Sequence, residues 1–261
     1  MPEGDTIHAL ASRLRGALVP GTLTAFEGPP NGPAPGVRLD DVEARGKHLL
    51  IRFAGDTTLH THLGMHGSWR VGPAGPPPTR RAGPPGRGVV AVVATDRATA
   101  VCRDTRVVEV LDAAGVRRHP WLATLGPDLC SPDPDLDAIA ARLGAFIDPG
   151  TEIGVALLDQ RVAAGIGNLY RSEVLWACRI DPLLPTGAVD EATRRGLYAT
   201  AGSLLRSNVY AVPRRTVPGG LAVYERGGRP CPRCGEPIRS RRLGEQARTV
   251  WWCGRCQTDD G

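Results

Sequence analysis

Apolar residues recur at helical spacing directly after the first few positions: Ile7, Leu10, Ala11, Leu14 and Leu18. That period predicts an amphipathic helix, with Asp5 or Thr6 as its N-cap. Residues 28–36, reading GPPNGPAPG, form a loop by composition. Strand-like runs follow at Val37–Glu43 and His48–Phe53, with Arg45-Gly46 as the turn and Lys47 opening the second run. Thr57–Leu63 alternates Thr and Leu with His and Thr, as a half-buried strand would. Leu63-Gly64-Met65-His66-Gly67-Ser68-Trp69 is a small-residue turn carrying bulky side chains. Val89–Ala94, Thr99–Arg103 and Val107–Leu111 are further β-branched runs. The N-terminal part, 1–120, is thus expected to be a β-sandwich with a flanking helix.

The pattern changes near Cys130. Ser131-Pro132-Asp133-Pro134 reads as a linker with a helix-capping signal. Leu136, Ile139, Ala140 and Leu143 then form one helical stripe, and Ile153–Ala163 another. Ala164-Gly165-Ile166-Gly167-Asn168 leads into a helix through Tyr170, Val174, Leu175 and Cys178, and Glu191–Ser207 adds one more. The division expected is 1–120, a helical part 131–225 and a short tail 226–261, a multidomain α+β chain.

Composition narrows the setting. The chain of 261 residues has no run of 18 apolar residues and no basic–apolar leader, so neither a membrane span nor a signal peptide is expected. Seven cysteines, an odd number without such a leader, imply reduced thiols and a cytoplasmic protein. Cys102, Cys130 and Cys178 read as core residues. The net charge of +5 suggests a polyanionic partner. The charge is concentrated between Arg226 and Cys256, where eight arginines face Glu236 and Glu245, a net of +6. The Pro/Gly-rich stretch Pro73–Arg87, with Arg80, Arg81 and Arg87, reads as a surface loop, phosphate contact being the minor alternative.

In that tail Cys231-Pro-Arg-Cys234 and Cys253-Gly-Arg-Cys256 are separated by eighteen residues. Two such pairs match a four-cysteine zinc site on paired β-knuckles. So short a tail has too little apolar surface to fold unaided, and the metal would supply its folding energy. The connecting hairpin would present Arg239, Arg241, Arg242 and Arg248. A redox dithiol is the rival, but redox motifs do not usually come as a matched pair in an Arg-rich hairpin.

Three other places carry candidate chemistry. Removal of Met1 would leave Pro2 as a terminal secondary amine. An α-amino group titrates near about 7.7–8.0, so part of it is neutral and nucleophilic at physiological pH. Its attack on an aldehyde-level carbon gives an iminium, an electron sink, with the Glu3 carboxyl beside it as proton donor or acceptor. The alternative is a frayed terminus. Gly165-x-Gly167-Asn168 brings backbone close to a ligand at a helix N-terminus, which suits a phosphate that the Asn168 amide could share. It could equally be a C-cap followed by an N-cap. Finally, of 32 basic residues 31 are arginine, and the single lysine is Lys47. A surviving lysine is a candidate for work a guanidinium cannot do, since arginine does not deprotonate.

Taken in order, these stretches resemble the formamidopyrimidine-DNA glycosylase and endonuclease VIII family of base-excision repair enzymes. The resemblance runs through Met-Pro-Glu-Gly-Asp-Thr at the start, Arg45-Gly46-Lys47-His48-Leu49-Leu50, and His62-Leu63-Gly64-Met65 with Gly67-Ser68. It continues through Leu158-Asp159-Gln160 to Gly165-Ile166-Gly167-Asn168 and Glu173, a helix-two-turn-helix signature, and ends at Arg248–Cys253 with Cys256-Gln257. It implies a β-sandwich, a helix-two-turn-helix domain and a C-terminal β-hairpin zinc finger with one structural Zn2+ on Cys231, Cys234, Cys253 and Cys256. It implies that Pro2 attacks C1′ of a damaged nucleotide and that Glu3 protonates the opening sugar or leaving base. Lys47 would assist β-elimination and hold a flanking phosphate. His62 and Asn168 match phosphate-contacting positions, and Arg248 matches the finger arginine that grips the lesion's phosphates and aids δ-elimination. Met65 matches a side chain inserted where the flipped nucleotide was. The partner implied is damaged double-stranded DNA, bound by a monomer.

The branch is read less directly. Pro2-Glu3-Gly4 resembles the endonuclease VIII branch, which prefers oxidised pyrimidines. Asp104-Thr105-Arg106-Val107-Val108 stands where the oxidised-purine branch carries a Phe wedge. Leu63-Gly64-Met65, however, looks more like the purine branch, and His66 is either a second wedge or a surface-turn residue. The alternatives are the same chemistry on oxidised purines, or a zinc-finger protein that binds damage without catalysis.

Overall fold

The structure, a computed structural model, describes residues 2–75 and 87–258. Met1, Arg80 and Arg81 lie outside the described residues. Contacts divide the chain into two compact units, Met1–Ala123 and Thr124–Gly261.

The first unit opens with helix α1, Gly4–Leu18. Its stripe Ile7, Leu10, Ala11, Leu14 and Leu18 is buried, as the periodicity predicts. The N-cap is Glu3, however, not Asp5 or Thr6; Asp5 lies in the first turn and is itself buried. An acidic residue inside that turn complements the helix dipole.

Among the described residues eight strands follow: β1 Gly21–Glu27, β2 Arg38–Arg45, β3 His48–Phe53, β4 Thr57–His62, β5 Ser68–Pro73, β6 Val89–Thr95, β7 Ala98–Arg103 and β8 Val107–Leu111. Their order is β5-β7-β6-β1-β2-β3-β4-β8. Strand β1 serves both halves. Gly21 and Thr22 pair with β2, and Leu23–Glu27 pair with β6 across a bulge. A strand that changes partners at a bulge is how a sheet turns the corner of a sandwich. The core between the layers holds Leu39, Val42, Leu49, Ile51, Phe53, Leu59, Val93 and Ala100 with the α1 stripe.

Strands β1 and β5 have no counterpart in the sequence reading, because β1 mixes Thr and small residues and β5 begins inside the presumed turn. Helix α2, Ala113–Arg118, capped by Asp112 through Gly115 N, is likewise unexpected. Strand β4 is buried on both faces rather than one. The residues after α2 cover its histidine face: His119 packs edge-on to His60 at 4.9 Å between ring centroids.

The second unit contains α3 Leu136–Phe146, α4 Ile153–Ala156, α5 Asn168–Ala177, α6 Glu191–Asn208 and the hairpin β9 Ile238–Leu243 with β10 Arg248–Cys253. Asp135, one residue beyond the Ser131–Pro134 linker in which the sequence places the capping signal, caps α3 by accepting Ala138 N at 2.8 Å. The helix expected over Ile153–Ala163 stops after four residues. Side chains there compete for the backbone. Asp159 accepts Arg161 N, while Gln160 bonds Leu158 O, Ile166 O and Gly165 N. Among the described residues no helix is long and apolar enough to cross a membrane.

Candidate functional site

In the first unit the sheet register positions several of the candidate residues. Strands β3 and β4 pair with His48 opposite His62. The turn joining β2 to β3 is Gly46-Lys47, one residue later than expected, because Arg45 still pairs with His48. Gly46 sits at φ 57°, which a two-residue hairpin with glycine in first place requires. Lys47 is therefore displayed at the tip of this hairpin. Beyond the effect of burial, its charge helps depress the pKa of both His48 and His62, so Lys47 and His62 are brought together. Met65 follows in a turn closed by Gly67 N to Leu63 O at 2.9 Å, and its side chain is 67% exposed. His66 in the same turn is exposed. Gly64 N donates to His62 Nδ1, leaving the His62 proton on Nε2. The Thr105 hydroxyl donates to His62 O at 2.5 Å, which ties the Asp104–Arg106 stretch to this turn. Pro2 is half-buried at the head of α1. Glu3 is 1% exposed, and its carboxyl does not cap the helix it precedes.

Behind His62 stands a stack of rings that sequence reading missed. His48 stacks between His60 and His62, at 5.1 and 4.9 Å between centroids, with Trp121 at 6.2 Å. His48 Nδ1 and His60 Nε2 share a hydrogen bond of 2.9 Å. Burial, and then the neighbouring imidazoles, push the pKa values of His48 and His60 down to about 3. The stack is neutral at physiological pH. His60, Glu109 and His119 bring three ligand-type atoms within 4.8 Å. His119 Nδ1, however, accepts the N–H groups of Trp121 and Leu122 at 3.2 and 3.3 Å. Its proton must then lie on Nε2, 3.2 Å from Glu109 Oε2. A metal there would need a fully deprotonated ring, so this triad suits a hydrogen bond and not an ion. The one local hint was two histidines two apart in β4; the partner His119 is far along the chain.

In the second unit, the side chains of Asn168 and Arg171 converge on β10. Gly167, not Asn168, is the N-cap of α5, and Asn168 is its first residue. Asn168 Nδ2 donates to Thr249 O at 2.9 Å, and its Oδ1 accepts from Arg171. Arg171, fully buried, also donates to Thr249 O at 2.8 Å and Arg248 O at 3.2 Å. These bonds fix the start of β10 and so the half-buried Arg248. Arg239, Arg241 and Arg242 on β9 are exposed, as expected. Glu173 is also buried. Its two oxygens accept Thr216 Oγ1 and the backbone N–H of Ala222, Val223 and Tyr224, the last three at 2.7–2.8 Å. One carboxylate thus anchors the segment that leads into the cysteine hairpin.

The sulfur atoms of Cys231, Cys234, Cys253 and Cys256 all lie within 4.8 Å of one another. Cys231 and Cys256 are 4.0 Å apart and Cys234 and Cys253 3.5 Å, too far for disulfides. Tetrahedral coordination at a metal–sulfur distance of about 2.3 Å sets sulfurs about 3.8 Å apart, which these two separations bracket. Arg233 N and Cys256 N donate to Cys231 Sγ and Cys253 Sγ at 3.5 and 3.4 Å. Burial raises the Cys231 thiol's pKa, but the Trp176 indole N–H and the backbone N–H groups outweigh it and bring it down to about 7. Four sulfurs at these separations, two of them met by backbone N–H groups, fit a metal ion held by thiolates.

Comparison with known proteins covers nearly all of the chain. Residues 1–110 match the formamidopyrimidine-DNA glycosylase N-terminal domain, and residues 125–214 match the formamidopyrimidine-DNA glycosylase H2TH domain. A probable endonuclease 8 2 of Streptomyces coelicolor is 39% identical over 98% of this chain and 94% of its own length. The chain belongs to the formamidopyrimidine-DNA glycosylase and endonuclease VIII family. Another member, the DNA-(apurinic or apyrimidinic site) lyase Nei2 of Mycolicibacterium smegmatis, is 38% identical over 99% of each chain. Among solved structures, Lactococcus lactis formamidopyrimidine-DNA glycosylase, bound non-covalently to DNA with an AP site, superposes with a TM-score of 0.80 at 21% identity. That match covers 99% of this chain and 100% of the other. At that identity the match speaks for the fold, which is the family's β-sandwich, helix-two-turn-helix and cysteine hairpin.

Proposed function

We propose that the chain excises oxidised pyrimidines from double-stranded DNA and nicks the strand by β,δ-elimination, with Pro2 as nucleophile. The class follows from the family: a DNA glycosylase with AP lyase activity, acting in base excision repair. In this reading the Pro2 nitrogen attacks C1′, the base leaves, and the Glu3 carboxyl protonates the opening sugar or the departing base. The resulting iminium acidifies the C2′ proton. Loss of that proton expels the 3′ phosphate with help from Lys47. Loss of the C4′ proton expels the 5′ phosphate with help from Arg248, and water then frees Pro2. His62, Asn168 and Arg248 hold phosphates, and Met65 fills the gap left by the flipped nucleotide, offsetting an unstacking cost of a few kcal/mol. Cys231, Cys234, Cys253 and Cys256 hold one structural Zn2+, which supplies folding energy to the hairpin and no reacting group.

The observation that carries this reading is the pair Pro2–Glu3 at the head of α1, with Pro2 half-buried and Glu3 buried. Support for pyrimidines comes from Asp104–Arg106, which presents an exposed Arg106 and no aromatic side chain beside the His62 turn. The exposed Met65 in a Leu-Gly-Met turn favours a second reading, oxidised purines. A panel of duplexes carrying thymine glycol, dihydrouracil, 8-oxoguanine, uracil or an abasic site decides between them. Faster excision of thymine glycol and dihydrouracil, the two saturated pyrimidines, is expected, and faster excision of 8-oxoguanine would reverse the assignment.

A further inference from the structure

We infer that Trp176 is the outer donor of the metal centre, tying it to α5 through an indole N–H bond to Cys231 Sγ. The inference rests on the reading that the four cysteines hold zinc. Trp176 is 8% exposed, and its Nε1 lies 3.3 Å from Cys231 Sγ. Cys231 is itself buried, so no solvent replaces that donor, and its backbone N–H contact from Arg233 is longer, at 3.5 Å. The indole is also held in place. The Arg233 guanidinium lies 4.0 Å over its ring, while Arg233 Nη1 donates to Trp176 O at 3.2 Å. Arg233 belongs to the same Cys-x-x-Cys knuckle, so ring and knuckle grip each other.

The rest of α5 gives this contact its reach. Every residue from Asn168 to Trp176 is buried. Asn168 and Arg171 bond β10 carbonyls at one end, Trp251 N donates to Ser172 Oγ in the middle, and Trp176 meets Cys231 at the other end. Beyond the helix, Gln257 donates to Ile180 O at 2.8 Å and accepts Cys253 N at 2.8 Å. Strand β10 carries both Arg248 and Cys253. One helix therefore positions the metal ligand Cys231 and the arginine proposed to grip phosphate. Trp176 is a positioning residue: it acts by donating to the sulfur of a proposed metal ligand.

Zinc affinity of the full chain is measured by competition with a chelating dye, for wild type, Trp176→Phe and Arg233→Gln. Partners of metal ligands typically contribute about 10–100-fold in affinity, and Trp176→Phe is expected to lose that much. In the cobalt-substituted protein the thiolate-to-metal charge-transfer band should move to longer wavelength, since an N–H bond no longer stabilises the sulfur lone pairs. A folded Trp176→Phe with affinity within about twofold of wild type and an unmoved band would overturn the inference. Arg233 is exposed, so Arg233→Gln tests the clamp even if Trp176→Phe does not fold. It should weaken zinc in the same direction by a smaller factor, and unchanged affinity counts against the inference. Wild-type protein that holds neither zinc nor cobalt would instead bring down the metal reading itself.

Discussion

Acid should loosen the β3–β4 end of the first unit through the neutral histidine stack. His48 and His60 have pKa values of about 3 in the folded protein against an ordinary 6.5. A histidine depressed on folding leaves stability untouched above the unfolded value. Below it the opened chain binds a proton that the folded chain refuses, so stability falls with pH until the folded value is reached. At about 1.36 kcal/mol per pH unit, each ring costs about 2 kcal/mol at pH 5.0 and almost nothing at pH 7.5. The pair therefore costs about 4 kcal/mol, with His62, also lowered by burial, adding in the same direction. The groups facing the stack are Lys47, Glu109 and His119, and they are the same in wild type and variant. His60→Gln removes one titrating ring, and native-state hydrogen exchange of the β3 and β4 amides at both pH values reads the effect. The variant lowers stability at every pH, but the loss between pH 7.5 and 5.0 should shrink by about 2 kcal/mol. A pH-dependent loss equal to wild type within about 0.5 kcal/mol would show that the stack is not the source of acid sensitivity.

Other outcomes follow from single contacts. Glu173→Gln replaces an acceptor of four donors by an amide that can accept only half of them; denaturant unfolding of the second unit should show a loss of about 2–5 kcal/mol. Gly67→Ala would place its Cβ 2.5 Å from Leu63 O and 2.9 Å from Thr105 Cβ, so a thermal melt should register about 1–3 kcal/mol of destabilisation. Gly16→Ala, with nothing within 4 Å of its Cβ, is the control and should be neutral or stabilising. Arg248→Gln should weaken binding to all duplexes alike and reduce the slope of log affinity against log salt by about one; an unchanged slope removes Arg248 from the phosphate contacts.

The readable parts of this chain are those whose physics is local. The α1 stripe, the β-branched runs of β6, β7 and β8 and the Cys-x-x-Cys pairs each declare themselves within a few residues. The Gly46-Lys47 hairpin differs from expectation by one residue, because strand pairing continues through Arg45. What stayed hidden depends on partners far along the sequence. Asn168 looks like a cap, yet its amide bonds Thr249 O, 81 residues away. His60 looks like the solvent side of an alternating strand until His119 covers it. Residues 157–163 carry a helical apolar period, but Asp159 and Gln160 satisfy the backbone in turns instead. Trp176 carries no signal of its own in the sequence, and only the folded chain sets its N–H against Cys231.

The proposed chemistry begins at the first amine of the chain. Borohydride reduction during reaction with a duplex containing an oxidised base, followed by peptide mapping, isolates that step, because Lys47 is the only lysine in the sequence. DNA should be cross-linked to the peptide that begins with Pro2, and protein whose N-terminus is blocked should give no cross-link. A cross-link on Lys47, or undiminished trapping by the blocked protein, would contradict the role given to Pro2.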